Sequence, residues 1–416
     1  MALTQKNRAR ISQSFVNIGL SPIVQISEKA NGLAPEFTQR SGKPFAFFQR
    51  GEVDFLPAPR LRAALAEAVQ SDDLARMTSC YPVSGGNPWC KQALIEHYRL
   101  RGVDGVTPDQ VVLTYGGQEG LELVFNLFRG GRVLSFGPIW SCITENIAPY
   151  GDSEVQMVPF RSEGAALTVD FDLLERELAA DTTLLYLNNP HNPTGKVFSR
   201  EELSTINDLC LKHDVLIIAD EAYKDIVFDG KKHVSMLEFE GDHIIVSSTG
   251  SKTYAATGYR FGWLICRDPE LTQTFFKRGN YTQTAGVATV IQYAFSKALV
   301  DEGTEAWIKG VVERYQARRE IIYAGLKPLF GENLYRPEGA FYFFVDLNPF
   351  LPKGTQNKED LVLERCLAQG IALVPGSGFG GDRYQGFARL SYSTLGQEVL
   401  PSAVERFVAM VEGLRR

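Results

Sequence analysis

Mostly apolar runs of four or five residues that alternate with helical patterns are the feature that most limits how this chain can fold. They lie at Val111–Thr114, Val133–Phe136, Leu184–Leu187 and Val215–Ala219, and each ends in a polar or glycine-rich segment. Strands with apolar residues on both faces are typical of a parallel sheet that helices cover on both sides. We therefore expect an α/β fold with a mainly parallel sheet sandwiched by helices.

The second half of the chain indicates a smaller domain. Because 416 residues exceed one ordinary core, two domains are expected. A helical pattern runs from about Ala285 to Leu326, and strands alternate with helices after it. We place a large domain at 56–300 and a smaller α+β domain at 301–416, with 1–55 forming an arm and part of the small domain. The elements predicted outside the large sheet are a short helix around Pro22–Asn31 and strands at Phe45–Phe48, Phe341–Val345, Ile371–Val374 and Phe387–Ser391.

Composition argues against several classes of protein. A net charge of −6 argues against a nucleic-acid-binding surface, and no apolar run approaches the length of a membrane span. The polar start, Met1–Arg8, lacks the core of a signal peptide. Six cysteines without a Cys-x-x-Cys pair indicate reduced thiols and no structural metal. We expect a cytoplasmic protein without a metal site.

The stretch Val246–Gly262 carries the strongest chemical signal. It leaves an apolar run, passes several small hydroxyl residues, reaches Lys252 and ends in a Gly-x-Arg-x-Gly frame around Arg260. A poorly solvated lysine favours its neutral, nucleophilic form, which can condense with an aldehyde cofactor. Hydroxyls and a guanidinium are suitable partners for a phosphate. A surface lysine in a polar turn is the alternative, and the coincidence of these groups argues against it.

Other unusual residues also follow predicted strands, where open α/β sheets bind their ligands. Asp220 directly follows an apolar run and would need a cation, either a protonated ring nitrogen or a neighbouring Lys or Arg. Tyr223 could donate a hydrogen bond to a phenolate oxygen, or simply pack at the sheet edge. Asn192 lies between two prolines that stiffen its loop. Trp140 could stack on an aromatic ring, although a tryptophan is more often part of a core.

Three further motifs bear on ligand binding. Gly117 and Gln118 open a helix whose N-terminus could hold an anion, or they form a plain strand-to-helix turn. Arg389 lies in an alternating strand and could grip a carboxylate, or be a surface arginine of an edge strand. Gly376–Gly381 fits G-x-G-x-x-G but leads into a strand, so a dinucleotide site is not expected.

In combination, these motifs resemble the class I/II aminotransferases, which have the type I fold of pyridoxal-phosphate-dependent enzymes. The similarity extends from about Gly51 to Tyr392, and five motifs stand in the family's order. It implies a large domain that binds pyridoxal 5'-phosphate, and a homodimer with shared active sites. It also implies that an amino acid and a keto acid are the substrates.

The resemblance also implies a role for each motif. Lys252 forms the internal aldimine and moves the proton between Cα and C4′. Asp220 pairs with the pyridine nitrogen, Tyr223 and Asn192 bond the phenolic oxygen, and Trp140 stacks on the ring. The phosphate is held by Gly117, Gln118, Thr249, Ser251 and Arg260. Tyr81 reaches the phosphate of the neighbouring subunit. The substrate carboxylate is bound by Arg389, Asn192 and the backbone at Gly51.

Two other activities compete with amino transfer. A lyase or cyclase on the same fold would use the same cofactor but expel a side-chain group or close a ring, since fold does not fix function. A regulator would use the fold as a ligand sensor and carry a DNA-binding module ahead of it, for which the arm has no room. The arm and the stretch Asn280–Ala288 depart from the family pattern, and we expect them to shape the side-chain pocket.

Overall fold

A central sheet of seven strands forms the scaffold of the computed structural model, which describes residues 5–11, 16 and 22–415. Six strands run in one direction, and Phe261–Cys266 runs antiparallel to both of its neighbours. The sheet is therefore mainly parallel, as predicted. In spatial order the strands are Val111–Tyr115, Phe261–Cys266, Ile244–Thr249, Leu216–Asp220, Thr182–Asn188, Arg132–Gly137 and Glu154–Pro159.

Apolar residues on both faces of this sheet are buried. Successive residues of Leu216–Asp220 belong to different hydrophobic clusters: Ile217 and Ala219 pack on one side, and Ile218 packs on the other. Helices cover both sides, which explains why the sequence shows no alternation of polar and apolar residues here. The helices of seven or more residues are Pro22–Ser41, Pro59–Gln70, Asp72–Thr78, Pro88–Arg99, Gly116–Leu127, Phe171–Leu178, Arg200–Lys212, Lys277–Thr284, Thr289–Ala298, Glu302–Phe330, Lys358–Ala368 and Leu400–Gly413.

A separate hydrophobic cluster surrounds a small antiparallel sheet near the C-terminus. Its central strand, Phe387–Ser391, lies between Tyr342–Asp346 and Val374–Pro375. Ala46–Phe47 pairs in parallel with Ile371–Ala372, so the segment before the large sheet contacts the C-terminal part of the chain. No helix of the described residues has the length and apolar character needed to cross the bilayer.

Three predicted elements differ from the structure. The helix at Pro22 continues to Ser41. The helical stretch expected from Ala285 to Leu326 is two helices, because Asp301 caps a new helix by accepting a hydrogen bond from the Thr304 N–H. The strand expected at Ile371–Val374 is interrupted at Leu373, and its two halves pair with different strands.

Candidate active site

A cavity of about 280 Å³ opens where the parallel strands of the central sheet end. Of the sequence-predicted site residues, all but Tyr81 line it; the Tyr81 side chain is 92% exposed and lies outside the lining. Residues from the arm, the sheet and the small C-terminal sheet therefore meet in one place. The lining comprises Ile23, Gly51, Glu52, Gly117, Gln118, Leu121, Trp140, Asn188, Asn192, Asp220, Ala222, Tyr223, Thr249, Ser251, Lys252, Thr257, Arg260, Tyr342 and Arg389.

Lys252 projects into the cavity from the short helix Gly250–Thr253, which begins where the strand Ile244–Thr249 ends. Its Nζ donates a hydrogen bond of 2.7 Å to the carbonyl oxygen of Gly51. Burial lowers the pKa of this amine to about 8, and the positive charges of Arg389 and Arg260 act in the same direction. A substantial fraction of Lys252 is therefore neutral near physiological pH and able to act as a nucleophile.

Asp220 is a buried acid at the end of its strand. Its Oδ2 accepts a hydrogen bond of 2.7 Å from the hydroxyl of Tyr186, and its Oδ1 accepts one of 3.1 Å from the Ala222 N–H. Burial raises the pKa of this carboxyl, while both hydrogen bonds and the charge of Lys252 oppose that rise. Among the described residues, no Lys or Arg forms a salt bridge with Asp220. The alternative prediction, that a neighbouring Lys or Arg neutralises this acid, is therefore wrong for that part of the chain.

The helix Gly116–Leu127 begins at the cavity, beside the start of the antiparallel strand. Arg260 lies so close to Gly116 that a Cβ on this glycine would collide with the guanidinium. The hydroxyls of Thr249 and Ser251 are hydrogen-bonded to each other at 2.9 Å. Free N–H groups at a helix N-terminus, hydroxyls and a guanidinium together form an environment suited to a phosphate.

Arg389 lies on the central strand of the small sheet and is only 1% exposed, so a surface arginine of an edge strand is the wrong interpretation. One Nη donates to Asn192 Oδ1 at 3.2 Å and the other to the Gln49 carbonyl at 2.9 Å. The guanidinium carbon lies 4.5 Å from the centre of the Tyr342 ring, and Nε has no hydrogen-bond partner among the residues that the structure describes. Burial lowers the pKa of Arg389. A buried guanidinium without a carboxylate partner in the described residues is energetically costly, which indicates that a ligand supplies the anion.

Three further residues complete the walls. Tyr223 shares a hydrogen bond of 2.7 Å between hydroxyls with Tyr342. Trp140 contributes an aromatic face after Gly137–Pro138. The peptide bonds Gly137–Pro138 and Asn192–Pro193 are both cis.

His191, the histidine nearest to the predicted site in sequence, does not belong to the cavity lining. It is buried beside Phe160 and contacts the Thr194 hydroxyl.

The stretch Asn280–Ala288 lies outside the lining of this cavity within one chain, and its expected contribution to the side-chain pocket stays a prediction. Its residues from Asn280 to Thr284 belong to the helix Lys277–Thr284. The buried carboxylate of Glu119 accepts hydrogen bonds from the Asn280 amide at 3.1 Å and the Thr284 hydroxyl at 2.8 Å. These contacts fix the stretch to the helix that begins at the proposed phosphate cradle. From the arm, by contrast, Ile23 does reach the cavity wall.

Sequence reasoning missed Tyr186, Tyr342 and Gln49. Tyr186 and Tyr342 lie inside apolar runs and are predicted as core, and Gln49 acts through its backbone carbonyl, which no side-chain pattern reveals. A signal was available for Tyr186: it is two residues before Asn188, so both side chains lie on one face of the strand. Asn188 pairs with Asp220 in the sheet register.

Comparison with known proteins gives the family. The family model described as aminotransferase class I and II matches residues 48–407. The chain belongs to the class I and II aminotransferases. It is 30% identical over 408 residues to a probable aspartate/prephenate aminotransferase of Thermus aquaticus, covering 97% of this chain and 99% of that protein. Its structure is similar to that of the aspartate aminotransferase of Thermus thermophilus with maleate, with a TM-score of 0.82, 28% identity and coverage of 99% and 100%.

Another relative has a name that indicates a different class of amino acid. Aromatic-amino-acid aminotransferase 2 of Thermococcus litoralis is 29% identical, covering 86% of this chain and 89% of that protein. Between the reactions that the sequence left open, these similarities support amino transfer. This aminotransferase depends on pyridoxal phosphate, and its cavity fits the cofactor: a partly neutral amine, a buried acid without a cation and a phosphate cradle lie around one space.

Proposed function

We propose that this aminotransferase transfers the amino group of an L-α-amino acid to a keto acid, with Arg389 binding the α-carboxylate. The buried guanidinium without a counter-ion carries this proposal. Its two hydrogen bonds, to Asn192 and to the Gln49 carbonyl, fix the plane of the fork, so a carboxylate can be bound in a defined orientation. The backbone at Gly51 lies beside the same space.

Lys252 is proposed as the catalytic base. Pyridoxal phosphate, when bound, supplies an aldehyde for the amine and an electron sink for the negative charge at Cα. The neutral amine of Lys252 would hold the cofactor at its aldehyde group. Once the substrate amine has taken its place, Lys252 would move the proton between Cα of the substrate and C4′ of the cofactor.

The remaining residues are proposed to orient the cofactor. Asp220 would pair with the ring nitrogen and keep it protonated, Tyr223 and Asn192 would bond the phenolic oxygen, and Trp140 would stack on the ring. Their support is that all four line one cavity with Lys252. The phosphate is assigned to the cradle at the helix N-terminus, formed by Gly117, Gln118, Thr249, Ser251 and Arg260.

The exposed position of Tyr81 supports the proposal of a homodimer with shared active sites. Its loop packs against the stretch after Lys277: the Thr289 hydroxyl donates to the Cys80 carbonyl, and Pro82 lies beside Gly286. Tyr81 and Tyr281 nevertheless remain exposed, at 92% and 64%. Exposed aromatic residues of this kind are typical of protein interfaces. Tyr81 would reach the phosphate cradle of the partner subunit.

The proposed substrate has a neutral, apolar or aromatic side chain. Among the described residues that line the cavity, Lys252, Arg260 and Arg389 are the cations. All three have proposed roles in the common chemistry, so no cation of this subunit's cavity lining remains to pair with a second carboxylate. Ile23 and Leu121 add apolar surface to the wall. The substrate class would then match the name of the Thermococcus litoralis relative rather than those of the aspartate aminotransferases.

Domain limits and location complete the proposal. We assign a large cofactor-binding domain to 56–300, a small domain to 301–416, and the arm at 1–55 partly to the small domain. The pairing of Ala46–Phe47 with Ile371–Ala372 supports this division. A cytoplasmic location is proposed because all six cysteines are free.

The decisive experiment combines the colour of the purified protein with an amino-acid screen. Lys252→Ala should lose the absorption of the covalently bound cofactor and amino transfer, whereas Lys309→Ala, at an exposed lysine, should keep both. In the intact enzyme, aromatic and apolar amino acids should change the cofactor spectrum at lower concentration than aspartate or glutamate. Retained covalent attachment in Lys252→Ala would refute the assignment, and a preference for dicarboxylates would refute the substrate class.

A further inference from the structure

Tyr186 lies behind the cavity, and its buried phenol group contacts Asp220 directly. It lies on the strand Thr182–Asn188, which pairs in parallel with the strand that ends at Asp220. The hydroxyl donates to Asp220 Oδ2 at 2.7 Å, and the Tyr186 side chain is 1% exposed. Phenylalanine would fill the same apolar space, so the hydroxyl requires an explanation beyond packing.

The hydrogen bonds of Asp220 leave part of its carboxylate available. Oδ2 accepts from Tyr186 and Oδ1 accepts from the Ala222 N–H, so each oxygen has one donor within the protein. An ionised carboxylate has about four acceptor sites, and Asp220 also lines the cavity. The two donors therefore fix the plane of the carboxylate while its remaining lone pairs can accept from a ligand.

The titratable groups around Asp220 show why a neutral donor matters here. Lys252 favours the ionised acid through its charge, but the neutral form of the amine, which acts as the nucleophile, carries no such charge. Tyr223 and Tyr342 also lie near the acid, yet their hydroxyls are hydrogen-bonded to each other. Among the described side chains, Tyr186 is thus the one that donates to the Asp220 carboxylate whether or not Lys252 is charged.

We propose that Tyr186 is a positioning residue for Asp220: its hydroxyl keeps the carboxylate ionised and turned towards the ring nitrogen of the cofactor. This inference rests on the proposed role of Asp220. Since a hydrogen bond to a charged group is among the stronger ones in proteins, its loss should weaken the hold on the cofactor about tenfold or more.

The test uses the holoenzyme and two readouts other than turnover: the absorption spectrum of the bound cofactor, and the rate at which pyridoxal phosphate leaves after dilution. Tyr186→Phe should change the spectrum and speed dissociation about tenfold, without loss of fold by circular dichroism. Tyr315→Phe is the matched control, because Tyr315 is also fully buried and its hydroxyl has no hydrogen-bond partner in the described part of the chain. It should behave as the unmodified enzyme.

A double-mutant cycle separates this inference from the proposed function. Asp220→Asn should itself change both readouts, and adding Tyr186→Phe to it should change them little further. If Asp220→Asn leaves both unchanged, the proposed role of Asp220 fails. If Asp220→Asn acts as expected but Tyr186→Phe matches Tyr315→Phe, the positioning role of Tyr186 is refuted. An equal effect of Tyr186→Phe with and without Asp220 would also refute it.

Discussion

Among the charged residues that line the cavity, Lys252, Asp220 and Arg389 form their printed hydrogen bonds with neutral groups of the described residues and not with a counter-ion. Each is held by neutral donors or acceptors, which orient a charge without cancelling it. Removing such groups from water costs several kcal/mol each before any ligand arrives. The arrangement indicates that these unpaired charges lower the stability of the fold. In return, a ligand meets charged groups whose orientation is already fixed.

The lowered pKa of Lys252 predicts how cofactor uptake depends on pH. The amine is protonated and unreactive well below its pKa of about 8, and neutral above it. The rate at which apoenzyme takes up pyridoxal phosphate should therefore rise about tenfold per pH unit below 8 and level off above it. Stopped-flow absorbance would measure this. A rate that keeps rising to pH 10, as for an exposed lysine, would contradict the prediction.

Arg389 predicts a defect confined to substrates with an α-carboxylate. Arg389→Lys keeps a positive charge but loses the fork, so the KM for the amino acid should rise by about one to two orders of magnitude, with a smaller change in kcat. Steady-state kinetics would show this. An amine without a carboxylate serves as the control, since its reaction rate should differ little between the two proteins.

At this scale the sequence was informative wherever an unusual residue interrupts a regular pattern. Lys252, Asp220 and Arg389 stand out because charge follows or interrupts apolar runs. Tyr186 and Tyr342 do not, since a tyrosine is as apolar as its neighbours until its hydroxyl is located. Which wall of the cavity each group faces depends on contacts between residues far apart in the chain, and no local pattern encodes these.

Among the elements, the antiparallel strand Phe261–Cys266 has the largest effect on the site. Sequence reasoning recognised Arg260 but not this strand, because the residues before it are those of a loop. Gly262, its second residue, lies against the start of the helix Gly116–Leu127. The close approach of this strand to the helix places Arg260 over the helix N-terminus.

Gly262 predicts a measurable packing requirement. A Cβ at this position would lie 2.7 Å from the backbone nitrogen of Gly117, a contact that backbone atoms can relieve only by moving the helix. Gly262→Ala should lower the free energy of unfolding by about 2 kcal/mol and weaken the binding of pyridoxal phosphate. Urea denaturation and cofactor titration would measure both. Gly258→Ala is the control, because nothing lies within 4 Å of its added carbon, and it should change stability much less.

Over the whole molecule, the arm, the large sheet and the small sheet each contribute to one cavity. Arg318, on the long helix Glu302–Phe330, binds both carboxylate oxygens of Asp54 at 3.0 and 2.7 Å. It also donates to the Ser393 carbonyl at 2.8 Å. This contact ties the segment after Gly51 to the end of the strand region that carries Arg389. The mainly parallel sheet was predictable from apolar runs, whereas this assembly was not, because it depends on contacts distant in sequence.

The proposed dimer predicts that an inactive variant and a weakened variant complement each other. Lys252→Ala lacks the reactive amine, and Tyr81→Phe weakens the phosphate site of the partner subunit. In a mixed dimer, one of the two sites regains both groups, so mixing the variants after denaturation and refolding should raise activity above that of either alone. Light scattering should give a dimer mass. A monomer mass, or no gain of activity on mixing, would contradict shared sites.

The reversed direction of Phe261–Cys266 has one more consequence. The chain leaves the rim of the sheet at Thr249 and returns to it at Phe261, and the connection Thr253–Tyr259 joins the lysine to the arginine. The residues proposed for covalent attachment and for binding the phosphate are therefore joined by one short connection, and a change in its length would disturb both together. The opposite wall comes from remote segments that can diverge separately, so lineages could exchange substrates while inheriting the same reaction centre.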